Sequence, residues 1–384
     1  MFDRAVLHLD LDSFFVSVEC LKNSEFLGKP LLIGGTSARG VVASCSYEAR
    51  RFGIHSAMPM KMALRLCPQA IVIRGDMDSY SKYSGIVTDI IAEEAPKYEK
   101  SSIDEFYLDL SGMDKYFGCF NWSIELRQKV IKESGLPISF GLSINKLVSK
   151  IGTGESKPNG ALQIPRGTEK EFLFPLSVKK IPGIGKVTYK KLSFMGVRKI
   201  ETLSNIPVKL LEREFGKHGK QLWEKANGID ESLVIPYHEQ KSMSKERTFK
   251  EDTLDLNHIK NMLIKMVDDL AFDLREDAKL TSTVTVKLRY ADFNTFTKQR
   301  KVAYTSNDQL LIKHVLEIFE KLYERRQLIR LIGVKFSGLV SGSYQISLFD
   351  DTEKEIRLME ERDWIKRRFG QDKIMRASSL KTKR

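Results

Sequence analysis

Cysteine is scarce in this sequence. The 384 residues hold four, Cys20, Cys45, Cys67 and Cys119, with no Cys-x-x-Cys spacing. A disulfide framework and a zinc site are disfavoured, and a reduced, cytoplasmic setting is expected. Long apolar runs are missing too. No stretch approaches the roughly 18 continuous apolar residues of a membrane span, so no membrane partner is expected. The opening Met1-Phe2-Asp3-Arg4 lacks the basic start and apolar run of a signal peptide. No G-x-x-x-x-G-K-S/T loop occurs, which disfavours a P-loop nucleotidase. Internal repeats and low-complexity tracts are absent.

What is plentiful is positive charge, and its placement is uneven. Lys and Arg outnumber Asp and Glu by 63 to 50, a formal net charge of +13. Residues 1–164 hold 19 basic and 19 acidic residues, so the whole excess lies in the remaining 220. Charge gathered in this way suits a polyanion such as nucleic acid.

Residues 1–164 alternate short apolar strands (5–11, 30–33, 40–44, 105–110, 138–144) with amphipathic helices. In the helix expected over 80–95, Tyr83, Val87, Ile90 and Ile91 recur at helical spacing. Pro68 and Pro96 stop two helices. This predicts an α/β or α+β domain on one main sheet. Residues 165–230 read as short basic helices broken at Pro182-Gly183-Ile184-Gly185, Gly196, Gly216 and Gly228. Residues 231–241 read as a linker. In 242–340 a strand near 246–249 precedes a helix over 257–278, with Ile259, Leu263, Met266, Leu270 and Leu274 on one stripe. Strands over 282–290 and 300–304, a helix over 308–324 and a strand over 329–339 complete β-α-β-β-α-β, a ferredoxin-like pattern. Residues 341–384 form a charged tail with helical spacing around 356–369.

The chemistry starts at His8-Leu9-Asp10-Leu11-Asp12. Alternation along a strand points Asp10 and Asp12 the same way. Two such acids repel unless a cation sits between them. A second pair, Asp104-Glu105, opens another strand. Adjacent strand residues face opposite sides, so both can serve one metal cluster only through a turn or bulge, which Ser101-Ser102 permits. Oxygen ligands without His or Cys suit Mg²⁺ or Mn²⁺ better than zinc. Two such ions about 4 Å apart could activate an attacking oxygen and neutralise a leaving phosphate. Taken singly, each pair also reads as a solvated strand end. Between them, Tyr47 and Arg50 are three apart and share a helix face, where a phenol and a guanidinium could hold phosphate oxygens. Lys157-Pro158-Asn159-Gly160 is a turn that would aim Lys157 in one direction, a candidate phosphate contact.

Six segments together resemble the Y-family DNA polymerases, in particular the bacterial DNA polymerase IV branch, from about residue 5 to about 350. They are LHLDLDSFFVSVE (7–19), RGVVASCSYEARRFGIHSAMP (39–59), SSIDEFYLDLSG (101–112), SFGLSINKLVSKI (139–151), SKPNG (156–160) and IPGIGKVTYKKL (181–192). The resemblance implies an α+β multidomain protein: a ferredoxin-like palm with small helical fingers (1–164), a helical thumb (165–230), a linker (231–241), a little finger (242–340) and a tail (341–384). It implies low-fidelity translesion synthesis, with dNTP, primer-template DNA and two Mg²⁺ ions per site. By position Asp10, Asp104 and Glu105 match the metal-binding carboxylates and the Leu11 carbonyl a backbone ligand. Asp12 matches an acid not usually counted as a ligand. Phe15 matches the aromatic gate that excludes a ribose 2′-OH, with Phe14 left to the core. Tyr47, Arg50 and Lys157 match the triphosphate contacts. Val41, Ala43 and Ser44 lie in the segment over the nascent base pair. The chain looks too short to add a proofreading domain, and a monomer is expected.

The run Lys179 to Lys186 reads as a helix-hairpin-helix, in which Gly183 and Gly185 let the backbone approach phosphate and Lys186 adds charge. Lys287, Arg289, Lys298, Arg300 and Lys301 cluster on two neighbouring strands, opposed nearby only by Asp292. They suit phosphate contacts, and so affinity that falls with salt. Gln345-Ile346-Ser347-Leu348-Phe349 resembles the peptide that docks on the bacterial sliding clamp (β clamp). Gln345 would be its polar anchor and Leu348 and Phe349 its apolar plugs, although such peptides often sit at the extreme C-terminus. Other readings remain open here: a UmuC-like polymerase subunit, a nucleotidyl cyclase, or a catalytically silent DNA-binding clamp partner.

Overall fold

A computed structural model describes residues 4–37, 39–113, 118–324, 327–342, 352–371 and 373–376. The clamp-like peptide, Gln345 to Phe349, lies outside them. The chain divides into two compact units, Met1–His238 and Glu239–Arg384.

Unit 1 begins with β1 (Val6–Leu11), α1 (Phe14–Lys22), β2 (Leu31–Gly34), β3 (Val42–Cys45), α2 (Tyr47–Arg50), α3 (Met60–Leu66) and β4 (Ile71–Ile73). It continues through α4 (Met77–Glu94), β5 (Tyr98–Lys100), β6 (Glu105–Asp109), α5 (Cys119–Ser134), β7 (Ile138–Ser143), α6 (Lys146–Ser156) and β8 (Ala161–Gln163). The main sheet runs β5-β6-β1-β7-β8, antiparallel except for β7 with β8. Alternation along β1 sorts its side chains. Leu7, Leu9 and Leu11 join a core with Val87, Ile90 and Ile91 of α4 and Leu126 and Val130 of α5, while His8 and Asp10 take the opposite face. Each large apolar side chain buried in that core contributes about 1.5–3 kcal/mol.

On the other face α6 lies hard against β7. A Cβ at Gly141 would meet the Ser149 carbonyl oxygen at 2.3 Å and the Thr153 nitrogen at 2.6 Å. Glycine is what permits this approach, and the approach brings α6 lysines to the acids of the sheet. A second sheet, β3-β2-β4, packs with α2 and α3 around Leu32, Val42, Cys45, Ala49, Met60 and Ala63. The fingers, expected to be helical, therefore include a small sheet.

Five short helices follow: α7 (Glu169–Leu173), α8 (Lys186–Phe194), α9 (Ile200–Ser204), α10 (Val208–Phe215) and α11 (Lys217–Ala226). Their core of Leu173, Val178, Ile181, Leu192 and Leu211 is continuous with Leu147, Val148 and Ile151 of α6. The hairpin has a single 3₁₀ turn over Val178–Lys180, then Gly183 at φ +96°, then α8. Gly183, Gly185 and Lys186 are all exposed. Residues 231–238, read as linker from their lack of periodicity, pack onto unit 1. The Ile235 N–H donates to Glu99 Oε2 at 2.8 Å, and Val234 is buried with Val6 and Tyr107.

Unit 2 runs β9 (Ser242–Thr253), α12 (Leu256–Glu276), β10 (Lys279–Tyr290), β11 (Thr295–Thr305), α13 (Asp308–Leu322) and β12 (Ile329–Ser341). This is the expected β-α-β-β-α-β order. Its antiparallel sheet is ordered β11-β10-β12-β9, so the last strand lies between the first two. Val284, Val286 and Leu288 of β10 face Ile259, Leu263 and Leu270 of α12 and Leu311 and Val315 of α13. The tail then supplies α14 (Thr352–Phe369), held on this unit by ions more than by an apolar stripe. Arg362 bonds Asp268 at 2.5 Å and Asp308 at 2.6 Å, Lys366 bonds Asp268 at 2.6 Å, and Asp363 takes both arms of Arg275 at 2.6 and 2.8 Å. Among the described residues, no helix is long and apolar enough to cross a membrane.

Candidate active site

Asp10 stands opposite Glu105 in the β1–β6 pairing. Asp104 comes one residue earlier, in a tight turn outside the strand. The N–H groups of Ser101 and Ser102 donate to the Glu105 carbonyl at 3.0 and 3.3 Å. The Ser102 hydroxyl accepts from the Glu105 N–H at 3.0 Å and donates to Asp104 Oδ1 at 2.6 Å. A tight turn thus precedes the strand, with Asp104 in it and Glu105 at the first strand position. The Leu11 N–H donates to the Asp104 carbonyl at 3.0 Å and ties that turn to the end of β1. Burial lifts the Asp10 carboxyl to about 6 against the pull of Lys157, and the charges of Glu105 and Asp104 add to the rise. The three carboxyls therefore share one electrostatic neighbourhood.

Two ammonium groups also occupy it. Lys157 Nζ bonds Asp10 Oδ1 and lies 3.7 Å from Asp12 Oδ1, so it is the cation that relieves the Asp10–Asp12 repulsion. Lys150 Nζ lies 2.5 Å from Glu105 Oε2. The fully buried His8 places Nε2 at 3.9 Å from the same oxygen. His8 and Lys150 together hold the Glu105 carboxyl at about 2 despite its partial burial. Burial keeps His8 itself neutral, down to about 4. With lysines on the carboxylates, no three His, Cys, Asp or Glu side chains among the described residues close on a single point. The donor set is still all oxygen, on adjoining elements and already accepting cations, which fits a hard divalent ion.

Asp12 has a different task. It is 1% exposed. Its Oδ2 accepts from the Ser139 hydroxyl and the Asn159 N–H, both at 2.7 Å, and its Oδ1 accepts from the Tyr47 hydroxyl at 3.2 Å. Arg127 grips the same Lys157–Gly160 turn from outside, donating to the Asn159 carbonyl and to its Oδ1 at 2.6 Å each. One buried carboxylate thus joins Tyr47 to the turn that carries Lys157. Ser46 caps α2 by accepting from the Ala49 N–H at 3.2 Å, and the Arg50 guanidinium stacks 4.6 Å from the Tyr47 ring centre. The shared face expected of Tyr47 and Arg50 is what forms. Of the residues proposed for the triphosphate, Lys157 thus stands on Asp10, and Tyr47, with Arg50 against its ring, stands on Asp12.

Phe14 is buried and Phe15 half-buried, dividing as expected. The Phe15 ring stacks on Tyr80, with centroids 4.3 Å apart and planes 12° apart. Tyr80 is itself fully buried and donates to Glu19 Oε1 at 2.7 Å. Sequence reasoning passed over His8, Lys150, Ser139, Tyr80 and Arg127. For Lys150 there was a signal: it lies seven residues before Lys157, a return to the same side of a helix.

In unit 2 the basic cluster splits by strand register. Arg300 stands opposite Val284, and Lys298 opposite Val286. Both therefore share the face of those core residues, on the helix side. Arg300 bonds Glu317 of α13 at 2.5 Å, and Lys298 donates to the Lys321 carbonyl at 3.2 Å. This corrects the expectation that Arg300 belongs to one open basic face opposed only by Asp292. Lys287 and Arg289 alternate with the buried residues of β10 and keep the open face. Lys287 is paired there with Glu246 at 2.6 Å. Lys335, exposed and opposite Thr285, joins them.

Residues 9–154 match the impB/mucB/samB family, residues 240–348 match that family's C-terminal domain, and residues 179–230 match a domain described as the DNA polymerase-iota thumb. A DNA polymerase IV of Dehalococcoides mccartyi is 34% identical over 384 residues, 99% of this chain and 98% of that one. One of Listeria innocua is 37% identical over 339 residues, 88% of this chain and 95% of that one. Among solved structures, a Y-family DNA polymerase chimera of Dbh and Dpo4 superposes with a TM-score of 0.78 at 27% identity, covering 88% of this chain and all of that one. An insertion ternary complex of Dbh DNA polymerase gives 0.64 at the same identity and coverage. These matches run through palm, thumb and little finger alike, and the chain belongs to the Y-family DNA polymerases, on the DNA polymerase IV branch.

Proposed function

We propose that the chain carries out template-directed, low-fidelity DNA synthesis past lesions, transferring a nucleotide from a dNTP to a primer 3′-OH with release of pyrophosphate. The observation that supports this reading is the pairing of Asp10 with Glu105 on neighbouring strands, with Asp104 in the turn just before, Lys157 bonded to Asp10 and Tyr47 bonded to Asp12. The relatives' names favour it over a UmuC-like subunit.

Asp10, Asp104, Glu105 and the Leu11 carbonyl would hold the divalent ions, which we assign as two Mg²⁺. Such ions, when bound, supply positive charge for the attacking and leaving oxygens. Arg50 and Lys157 bind the triphosphate as a fork and a point charge, and Tyr47 adds a hydroxyl donor. Asp12 orients Tyr47 and the Lys157 turn from behind. Phe15 blocks the space of a ribose 2′-OH, and Tyr80 stops its ring from retreating. Val41 and Ala43 are small and exposed, so the segment assigned to the nascent base pair makes a loose shape test. Selectivity then rests mainly on pairing and stacking, and an apolar pocket by itself discriminates only modestly. The exposed hairpin (Gly183, Gly185, Lys186) and the open face with Lys287, Arg289 and Lys335 would bind DNA phosphates without reading sequence. Gln345, Leu348 and Phe349 are assigned to a sliding clamp on their sequence alone.

Primer extension tests this reading, with one dNTP at a time on undamaged and damaged templates, with and without clamp. Template-directed incorporation on both templates is expected, with more product when clamp is present. DNA binding without incorporation would leave a silent binding protein instead. Incorporation unchanged by clamp would remove the clamp from the account.

A further inference from the structure

Three lysines of α6 and its cap face a row of acids on the main sheet. Lys146 bonds Glu99 on β5 at 2.7 and 2.8 Å, Lys150 bonds Glu105 on β6 at 2.5 Å, and Lys157 bonds Asp10 on β1. The steps of four and seven residues keep all three on one side of the helix. Lys146 serves an acid outside the site, and Lys157 is assigned to the triphosphate. Lys150 has no part in the reaction described above, yet it touches a carboxylate that the reaction needs.

We propose that Lys150 is a positioning residue for Glu105. It is a tethered cation that holds this carboxylate before a divalent ion arrives and must be displaced from it. The inference rests on the assignment of Glu105 as a metal ligand. Lys150 bonds Oε2 at 2.5 Å, whereas His8 Nε2 stays 3.9 Å from it with no hydrogen-bond partner, so Lys150 is the group that pins Glu105, by one oxygen. The Lys150 side chain is 31% exposed, which leaves its ammonium a path to water once released. Gly141 keeps α6 against the sheet, so the tether is short and the ammonium stays close at hand. An ion binding Glu105 competes with a partner that diffusion cannot remove, and its apparent affinity drops by the fraction of time the carboxylate is occupied. Lys150 therefore sets a threshold of divalent ion below which the acid site stays self-neutralised.

The test is direct Mn²⁺ binding to the full-length protein without DNA or dNTP, read from the electron paramagnetic resonance signal of free Mn²⁺. Lys150→Met keeps the length of the side chain and removes its charge. Tighter binding by about two- to fivefold is expected, the range for losing a partly exposed ion pair. Lys150→Arg should stay near the parent protein. In a Glu105→Gln background Lys150→Met should give no gain, which separates competition at Glu105 from a general change in charge or fold. Should Lys150→Met fail to fold, Lys150→Gln carries the same comparison. Unchanged or weaker Mn²⁺ binding in the folded variant, or the same gain without Glu105, overturns the proposal. If the parent protein fails to extend primers with any divalent ion, the polymerase reading fails first and takes this inference with it. Normal extension with no Lys150 effect removes this inference alone.

Discussion

Replacing Asp12 by Asn separates a carboxylate that organises the triphosphate site from one that binds metal. The four contacts of Asp12 divide evenly: Ser139 and Asn159 on Oδ2, Tyr47 and Lys157 on Oδ1. An amide keeps one oxygen and presents NH₂ at the other. The two shorter contacts, at 2.7 Å, are the ones the remaining oxygen will keep. The NH₂ then faces the Tyr47 hydroxyl and the Lys157 ammonium. A hydrogen bond to a charged group contributes about 1.5–3 kcal/mol, and loss of the lower amount corresponds to roughly tenfold in an equilibrium constant. Tyr47 and Lys157 would then have to be ordered by the incoming triphosphate. Steady-state single-nucleotide incorporation should show KM for dNTP up by about tenfold, with kcat changed by less than about threefold. A fall in kcat with KM unchanged would refute the reasoning and place Asp12 among the groups acting on the chemical step.

Further outcomes follow from the same geometry. Phe15→Ala should admit ribonucleotides, raising their kcat/KM relative to dNTPs by at least about a hundredfold, the scale of a lost steric or polar exclusion; unchanged sugar selectivity takes Phe15 out of the gate. Burial would raise the Asp308 carboxyl, but Arg362 and Arg376 outweigh it and hold the group at about 2. A carboxyl depressed in the folded state lends stability above its unfolded value near 4, and that stability disappears as pH falls toward 2. Urea unfolding followed from pH 5 to pH 2.5 should therefore show a contribution of about 2 kcal/mol that an Arg362→Met, Arg376→Met double variant largely abolishes; equal pH slopes in both proteins would contradict the pairing. Affinity for primer-template should fall steeply with salt, and a Lys287→Ala, Arg289→Ala double variant should reduce the log–log slope by about 2. Arg300→Ala should leave that slope nearly unchanged, and an equal reduction would return Arg300 to the DNA-facing set.

Much of this was legible in the residues themselves. Strand alternation placed Asp10 on one side of β1, and Ser101-Ser102 signalled the turn that precedes Glu105. Helical spacing located α12, α13 and α14 within a few residues. What escaped depends on partners distant in sequence. The β10–β11 register decides that Arg300 shares a face with Val284, and no local pattern states it. α14 is held mainly by Asp268, Asp308 and Asp363 paired with cations, so no apolar stripe in its sequence marked a docked face. Residues 231–238 have no periodicity because single contacts hold them, such as Ile235 to Glu99. Lys150 and Lys157 stood 147 or fewer residues from their acids in sequence, and only the close approach at Gly141 brings them together.

The central claim is that Asp10, Asp104 and Glu105 act together on divalent ions at a primer end. Asp104→Asn tests it with two readouts on one preparation, primer extension and primer-template binding by fluorescence anisotropy. Extension should fall by at least about a thousandfold, the scale for losing a group on which transition-state charge depends, while DNA affinity stays within about twofold. Extension at near-parental rates, with binding intact, would contradict the account.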